Sequence, residues 1–230
     1  MKDWEREEVL KYNLWKTKCK ERGYFWELER FDIINHLIEK YNYINYLEIG
    51  VHDGSCIRNV KALHKDGVDP GYETTNPSEV NYPIKSDIFF NLIKDEDIKY
   101  DIIFVDGKHY DYQVYKDVKN ALRHITDNGT IICHDMNPQW EIAQRKIAIK
   151  EIGCWNGDSW KAWVKLRGEL TDYSMEVVNT DHGVGIIRPG KQTPLNLPKD
   201  AFDLDFWYLS NNREEILNLI SIEEFYTRYD

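Results

Sequence analysis

Two apolar runs that each break off at an aspartate constrain the fold of this chain more than any other feature. Residues 100–107, Tyr-Asp-Ile-Ile-Phe-Val-Asp-Gly, close on Asp106, and residues 130–135, Thr-Ile-Ile-Cys-His-Asp, close on Asp135. Between them Val114, Val118, Ala121, Leu122 and Ile125 recur at helical spacing, and Asn128-Gly129 reads as the stop of that helix. A buried strand, a covering helix and a second buried strand make a parallel unit. The same reading gives a strand at 44–50 ending in a glycine turn, a short strand at 67–70 closed by Pro70, and a third strand at 82–85. All five strand ends are polar: Glu48 to Gly54, Asp69, Ser86-Asp87, Asp106 to His109, and His134-Asp135. In open α/β sheets ligands bind beyond the carboxyl ends of the strands, so these clusters mark one ligand-binding edge.

The remaining segments fit the same plan. Residues 1–42 read as helical, with Phe31, Ile34, Leu37, Ile38 and Tyr41 on one face. Helices are expected at 55–64, with Ile57, Val60 and Leu63 aligned, at 89–93, at 141–152 and at 158–167. Residues 175–179 and 183–188 read as a late hairpin around Asp181-His182, with His182 on a surface turn. Residues 189–200 read as a loop, and 211–225 as a last helix broken near Ser221. The expected fold is a single α/β domain. Its sheet is mostly parallel with a late antiparallel hairpin, and helices cover both faces. An N-terminal helical segment (1–42) precedes the core (43–190), and a C-terminal loop and helix (191–230) pack on the same domain.

Length and charge bound the partners. A chain of 230 residues suits one domain. The formal net charge of −10, with basic residues interleaved among acids, opposes a nucleic-acid partner. None of the four cysteines, Cys19, Cys56, Cys133 and Cys154, forms a C-x-x-C pair, and free thiols fit a reducing compartment. Residues 1–8 are charged and lack the apolar core of a leader, and no apolar run approaches a membrane span of roughly 20 residues. The expectation is a cytoplasmic protein without a membrane partner. Self-association into a homo-oligomer is left open.

Gly50 and Gly54 allow a tight turn and close approach of backbone to ligand. Their spacing is not the dinucleotide pattern G-x-G-x-x-G, which argues against an NAD-binding oxidoreductase. Asp69 follows Gly50 by 19 residues, where a carboxylate can accept from two ribose hydroxyls. A turn residue before Pro70 is the competing role.

The stretches 46–54 (Tyr-Leu-Glu-Ile-Gly-Val-His-Asp-Gly), 67–70 (Gly-Val-Asp-Pro), 86–90 (Ser-Asp-Ile-Phe-Phe) and 104–110 (Phe-Val-Asp-Gly-Lys-His-Tyr), with His134-Asp135, resemble class I S-adenosylmethionine methyltransferases. More narrowly they are similar to the group that includes macrolide-sugar O-methyltransferases and enzymes of surface-glycan biosynthesis. The match spans roughly residues 40–190, and the tail at 212–221 is also similar to tails of that group. The resemblance implies a Rossmann-like sheet and S-adenosyl-L-methionine as cofactor. It implies that the turn bearing Gly50, Asp53 and Gly54 holds the methionine part, with Glu48 near its amino group. Asp69 would hold the ribose, Ser86 and Asp87 would meet the adenine, and Asp106 would border the cofactor.

Methyl transfer to a hydroxyl needs a base, a metal or both. Asp106 and Asp135 end adjacent strands and can share a hard divalent cation, Mg²⁺ or Mn²⁺, with His134 beside them. The resembling enzymes carry metal ligands at these positions, but an acid where this chain has His134. Catechol-type enzymes carry Asn where this chain has Met136. A loop-capping Asp135 and a hydrogen-bonding His134 are the alternative. His109, three residues after Asp106, has a side chain that titrates near neutrality and is the expected base. Trp155, Asp158 and Trp160 are expected at the acceptor, with N-capping of the next helix the other role for Asp158. The expected activity is O-methylation of a sugar or similar polar small molecule. An N-methyltransferase acting on an amino sugar, or a cofactor-binding partner protein without turnover, are the rivals.

Overall fold

The computed structural model describes residues 2–23, 25–72, 74–75, 77–148 and 155–230. Most strands lie close to where the sequence puts them: β1 (Asn45–Ile49), β2 (His64–Val68), β3 (Tyr100–Val105), β4 (Ile125–Cys133) and the hairpin of β5 (Tyr173–Val178) with β6 (Val184–Pro189). A short β7 (Leu219–Ile220) completes one seven-stranded sheet of order β2-β1-β3-β4-β6-β5-β7. Only β6 runs against the rest: it pairs antiparallel with both β4 and β5, whereas β5 and β7 are parallel.

Alternation along the strands sends side chains to two separate cores. Leu47, Ile49, Ile103, Val105 and Ile131 pack on one face beneath α4 (Ser86–Ile93), α5 (Asp111–His124), α6 (Ser159–Glu169) and α7 (Phe206–Leu217). Tyr46, Ile102, Phe104 and Ile132 pack on the other beneath α2 (Arg30–Tyr41), α3 (Ser55–Asn59) and α8 (Ile222–Tyr229). Both faces are thus covered, which is why the central strands read as continuous apolar runs. The first helix, α1 (Asp3–Arg22), buries only Glu5, Tyr12 and Cys19 and forms a satellite with Trp15, Trp140 and Ile142. Among the described residues no helix is long and apolar enough to cross a membrane.

Several elements depart from the sequence reading. The helix expected over 55–64 ends at Asn59, because β2 pairs with β1 from His64 onward and leaves Leu63 exposed. The strand expected at 82–85 is a single bridge between Tyr82 and Val68. Pro83, which cannot donate to a ladder, stops it there. Asn128-Gly129 is not a helix stop. The helix ends at His124, and the pair lies where the β3–β4 register shifts; a Cβ on Gly129 would press on the carbonyl of Asp101 at 2.8 Å. Residues 141–144 form turns instead of a helix, since the N–H groups of Glu141 and Ile142 are taken by the Glu8 carboxylate of α1. Residues 145–148 are not helical either, and the end of that expected helix, from 149 to 152, lies outside the described residues, as does Cys154. The final helix is cut by β7, after Asn218 turns left-handed.

Candidate active site

The chain runs from β1 to β2 on one side of β1 and returns to β3 on the other. The crevice of such a sheet opens at that reversal, beyond the carboxyl ends. Backbone pairing continues past the strand ends: Gly50 N donates to Val68 O (2.9 Å), Asp106 N to Ile49 O (2.8 Å) and His134 N to Val105 O (3.1 Å). The Gly50, Asp106 and His134 positions are therefore held side by side. Gly50 has φ +89°, and a Cβ there would collide with the carbonyl of Asp106, so the residue must be glycine.

At the β1 end, Glu48 is buried, and its carboxyl accepts from the Tyr46 hydroxyl. Its other oxygen, Oε1, has no hydrogen-bond partner among the described residues. Burial pushes the Glu48 carboxyl up to about 8, against the Tyr46 hydrogen bond. The Asp69 carboxylate accepts from Val51 N (3.0 Å), His52 N (2.9 Å) and Gly71 N (2.7 Å), so it ties the glycine turn to the end of β2. Asp53 Oδ1 accepts from Ser55 N (2.9 Å), and Gly54, at φ +79°, is the N-cap of α3. Ser86 and Asp87 open α4, where Gln113 Nε2 reaches Ser86 Oγ (3.3 Å) and Asp87 Oδ1 (3.1 Å) and Lys116 pairs with Asp87 at 2.9 Å.

At the β3 and β4 ends the catalytic and metal candidates converge. His109 places Nε2 3.3 Å from Asp106 Oδ1 and Nδ1 3.0 Å from Asp135 Oδ2. His134 Nδ1 lies 3.2 Å from Asp106 Oδ1 and 3.4 Å from Asp135 Oδ2. Asp106, His134 and Asp135 can each offer one ligand atom within 4.8 Å of the others. An octahedral site with ligands at 2.0–2.1 Å has edges of about 3 Å, so the separations suit a small divalent cation. Behind His134, its Nε2 lies 3.3 Å from Asp181 Oδ1, the outer carboxylate that a ligating imidazole commonly has. Two carboxylates and an imidazole so backed fit a Mg²⁺- or Mn²⁺-type centre.

The same groups also balance one another. Burial alone would lower the pKa of His109, but Asp135 and Asp106 overcome it and raise the imidazole to about 9. Burial opposes charge on His134 too, and Asp106 and Asp135 hold it well above its ordinary value. Burial works against Asp106, Asp135 and Asp181 as carboxylates, yet the charge of His134 brings all three below the usual range. With Arg30 and both imidazoles charged, three cations meet three carboxylates.

Sequence reasoning missed the groups that frame this cluster. Arg30, the first residue of α2, pairs with Asp181 (Nη1 to Oδ2, 2.9 Å), and its Nε stands 4.0 Å from Asp106 Oδ2. Asp181 also accepts the Arg30 backbone N–H at 2.9 Å. Asn156 Nδ2 donates to Asp135 Oδ1 (2.8 Å). His182 is no surface turn: its ring packs edge-on against His134 (6.2 Å) and Trp26 (4.9 Å). Asp135 (φ +65°), Asp181 (φ +36°) and His182 (φ +62°) are all left-handed, a strain that collects where geometry is imposed. Left-handed non-glycine backbone cannot be read from spacing; the clustering of Trp4, Trp15 and Trp26 in a charged N-terminal segment was the available signal.

The expected acceptor residues divide. Trp155 stacks on His109, with centroids 5.0 Å apart, and its Nε1 donates to the Arg145 carbonyl. Trp160 is instead fully buried in the core, its Nε1 spent on Gln144 Oε1 (3.1 Å), because it faces the sheet from α6. Asp158 is also internal. It holds the N-cap position of α6, but its Oδ1 accepts from Asp111 N (2.9 Å) at the start of α5, and Lys146 pairs with it at 3.3 Å. Neither is open to an acceptor.

Residues 47–136 match the model of a family described as a methyltransferase domain. No curated protein matches the sequence. Among solved structures, an O-methyltransferase from Bacillus cereus, in complex with SAH, is similar at 14% identity and a TM-score of 0.52. The similarity covers 83% of this chain and 92% of that one. A candidate O-methyltransferase from Klebsiella pneumoniae is similar at 13% identity and a TM-score of 0.52, over 70% of this chain and 80% of that one. Residues 47–136, which carry Glu48, Gly50, Asp69, Asp106, His109 and Asp135, are thus similar to a methyltransferase domain, and the chain shares the Rossmann-like α/β fold of these structures.

Proposed function

We propose that the chain is an S-adenosylmethionine-dependent O-methyltransferase whose acceptor, a sugar or similar polar small molecule, is deprotonated at the edge formed by Asp106, His109 and Asp135. The observation that carries this reading is the convergence of His109 with both strand-end carboxylates, next to the Gly50 turn. When bound, S-adenosylmethionine would supply an electrophilic methyl group, and a divalent cation, which Asp106, His134 and Asp135 would hold, would supply charge that lowers the pKa of a hydroxyl. The protein's own part is alignment and proton transfer. His109 would take up the proton of the acceptor hydroxyl, between the Asp106 and Asp135 carboxylates that hold its imidazole.

Glu48 supports the placement of the cofactor. A buried carboxyl with one unpartnered oxygen is costly unless a ligand completes it. The ammonium of the methionine part would do so, and would favour the ionised carboxylate. The test is titration calorimetry with S-adenosylhomocysteine. Micromolar binding is expected for the wild type, and Glu48→Gln is expected to weaken it by roughly ten- to a hundred-fold, the scale of a hydrogen bond to a charged group. Failure of the wild type to bind would sink the reading; equal affinity in the variant would remove Glu48 from the cofactor site.

A further inference from the structure

Beside the His134–Asp181 pair opens a cleft of about 280 Å³. Its walls come from four separated stretches: Trp15 of α1, Trp26 of the α1–α2 link, the segment after β4 with Asn137, Gln139 and Trp140, and the β5–β6 turn with Asn179 and His182. Trp15 stands at the centre, 5.3 Å from Trp26 and 5.7 Å from Trp140 by ring centroids. Trp26 meets His182, and His182 meets His134, so a file of rings leads from the cleft to the carboxylates.

We propose that this cleft seats an uncharged, single-ring sugar unit of the methyl acceptor, bound by its C–H face on the tryptophans and by its hydroxyls on the amides. The proposal rests on the methyl-transfer reading for the link to catalysis, but the binding it asserts is separately measurable. Three observations carry it. First, the volume is at the small end of ligand pockets, roughly 300–1,000 Å³, and suits one ring. Second, none of the described lining residues bears a carboxylate, ammonium or guanidinium group. A phosphate or nucleotide would find no counter-charge there. Third, the wall is half aromatic and half amide. Aromatic faces are electron-rich and attract the weakly positive C–H face of a ring, while an amide offers both donor and acceptor to a hydroxyl. Asn137 Nδ2 donates to Asn179 Oδ1 (3.0 Å) and Gln139 Nε2 to the Asn137 carbonyl (3.0 Å), which fixes the side chains and, among the described residues, leaves Asn179 Nδ2 and Gln139 Oε1 for a ligand. A purely apolar acceptor would strand these groups.

The cleft exists because the N-terminal segment is pinned over the sheet edge. Thr180 Oγ1 donates to the Leu28 carbonyl, Asp181 holds Arg30, and Glu8 holds the 141–142 turn. All of the described lining residues therefore lie outside 47–136, the stretch that matches the methyltransferase domain, including the three that follow it directly, Asn137, Gln139 and Trp140.

The test uses the full chain with S-adenosylhomocysteine present. Saturation-transfer NMR is run against a panel of methyl glycosides of common hexoses and 6-deoxyhexoses, with the corresponding sugar phosphates and nucleotide sugars as charged competitors. The expected result is transfer to ring C–H protons of one or more neutral glycosides. Trp26→Ala should lower that glycoside's affinity roughly five- to ten-fold, the scale of one aromatic contact, with S-adenosylhomocysteine affinity unchanged. Because Trp26 packs on His182, Gln139→Ala and Asn179→Ala, both at exposed amides, provide variants that should fold normally and still weaken the glycoside. No transfer to any glycoside, transfer indifferent to all three substitutions, or tighter binding of the charged forms through the same residues would overturn the proposal. Glycoside binding without S-adenosylhomocysteine binding would instead leave the cleft standing and overturn the methyl-transfer reading.

Discussion

A histidine in water is half protonated near pH 6.5, and His109 is not in water but between two carboxylates. Asp135 and Asp106 outweigh its burial and hold the imidazole charged up to about pH 9. A protonated imidazole cannot accept a proton, so under the proposed function the pH at which His109 would act as base is set by how much negative charge Asp106 and Asp135 retain. His109→Ala should lower methyl transfer roughly a hundred- to ten-thousand-fold while leaving S-adenosylhomocysteine affinity nearly intact. In chelator-treated protein the wild-type rate should rise with pH through about 9, because the base form appears only there. With Mg²⁺ or Mn²⁺ restored the rise should move toward neutral pH. A rate unchanged by the substitution, or one that falls between about pH 7 and 9, would remove His109 as the base. His109, Asp106 and Asp135 were legible because each ends or follows an apolar run. Arg30, Asp181 and His182 were not. They lie far apart in sequence, and only the packing of α2 against the β5–β6 turn brings them to the same edge.

That turn is where element-level geometry is most demanding. Met136 N donates to Gly183 O (3.0 Å) and Asn137 N to His182 O (2.8 Å), so the segment after β4 is paired to the hairpin tip and positions Asp135 and the Asn137 wall of the cleft. The contact is possible only because Gly183 sits at φ +91° with the Asn137 backbone where a side chain would go. Gly183→Ala should cost on the order of 2 kcal/mol or more, strain and displacement together, and lower Tm by roughly 4–8 °C. Gly168→Ala is the control. It lies in α6, and its Cβ would meet nothing nearer than the Leu195 carbonyl at 3.5 Å, so it should be neutral or stabilise by about 0.5–1 kcal/mol. Equal effects of the two substitutions, followed by thermal denaturation, would show that the turn is not under this constraint. At this scale the strands and the amphipathic α5 were legible from periodicity. The lapses at 55–64, 82–85 and 128–129 share a cause: sheet pairing at His64, the missing N–H of Pro83 and the shifted β3–β4 register override local pattern.

For the molecule as a whole, the buried titratable groups should decide how stability varies with pH. Burial raises the Glu48 carboxyl to about 8 and the Asp117 carboxyl to about 7, the latter against hydrogen bonds from Ser86 and Gln113. The unfolded chain gives up both protons near pH 4, so between about 4 and 8 the folded state binds more protons and loses stability as pH rises. His109 acts in the same sense. Its raised value contributes stability fully below about pH 6.5, and this is lost as pH rises through about 9. Asp106, Asp135 and Asp181 act oppositely: their lowered values contribute stability above about pH 4, which is lost as pH falls further. The two trends cross at roughly pH 4. Thermal denaturation of the cation-free protein at constant ionic strength should therefore show Tm highest at about pH 4 and declining toward about pH 9. Asp117→Asn keeps an acceptor for Gln113 but has no proton to lose. It should flatten the decline between about pH 4 and 7, removing a cost on the order of 4 kcal/mol at neutral pH, since a tenfold change in proton affinity corresponds to about 1.4 kcal/mol. A Tm that climbs steadily from about pH 5 to 9 would mean that these carboxyls are ionised in the folded protein. A decline of the same steepness in Asp117→Asn would transfer its cause to Glu48 and the histidines.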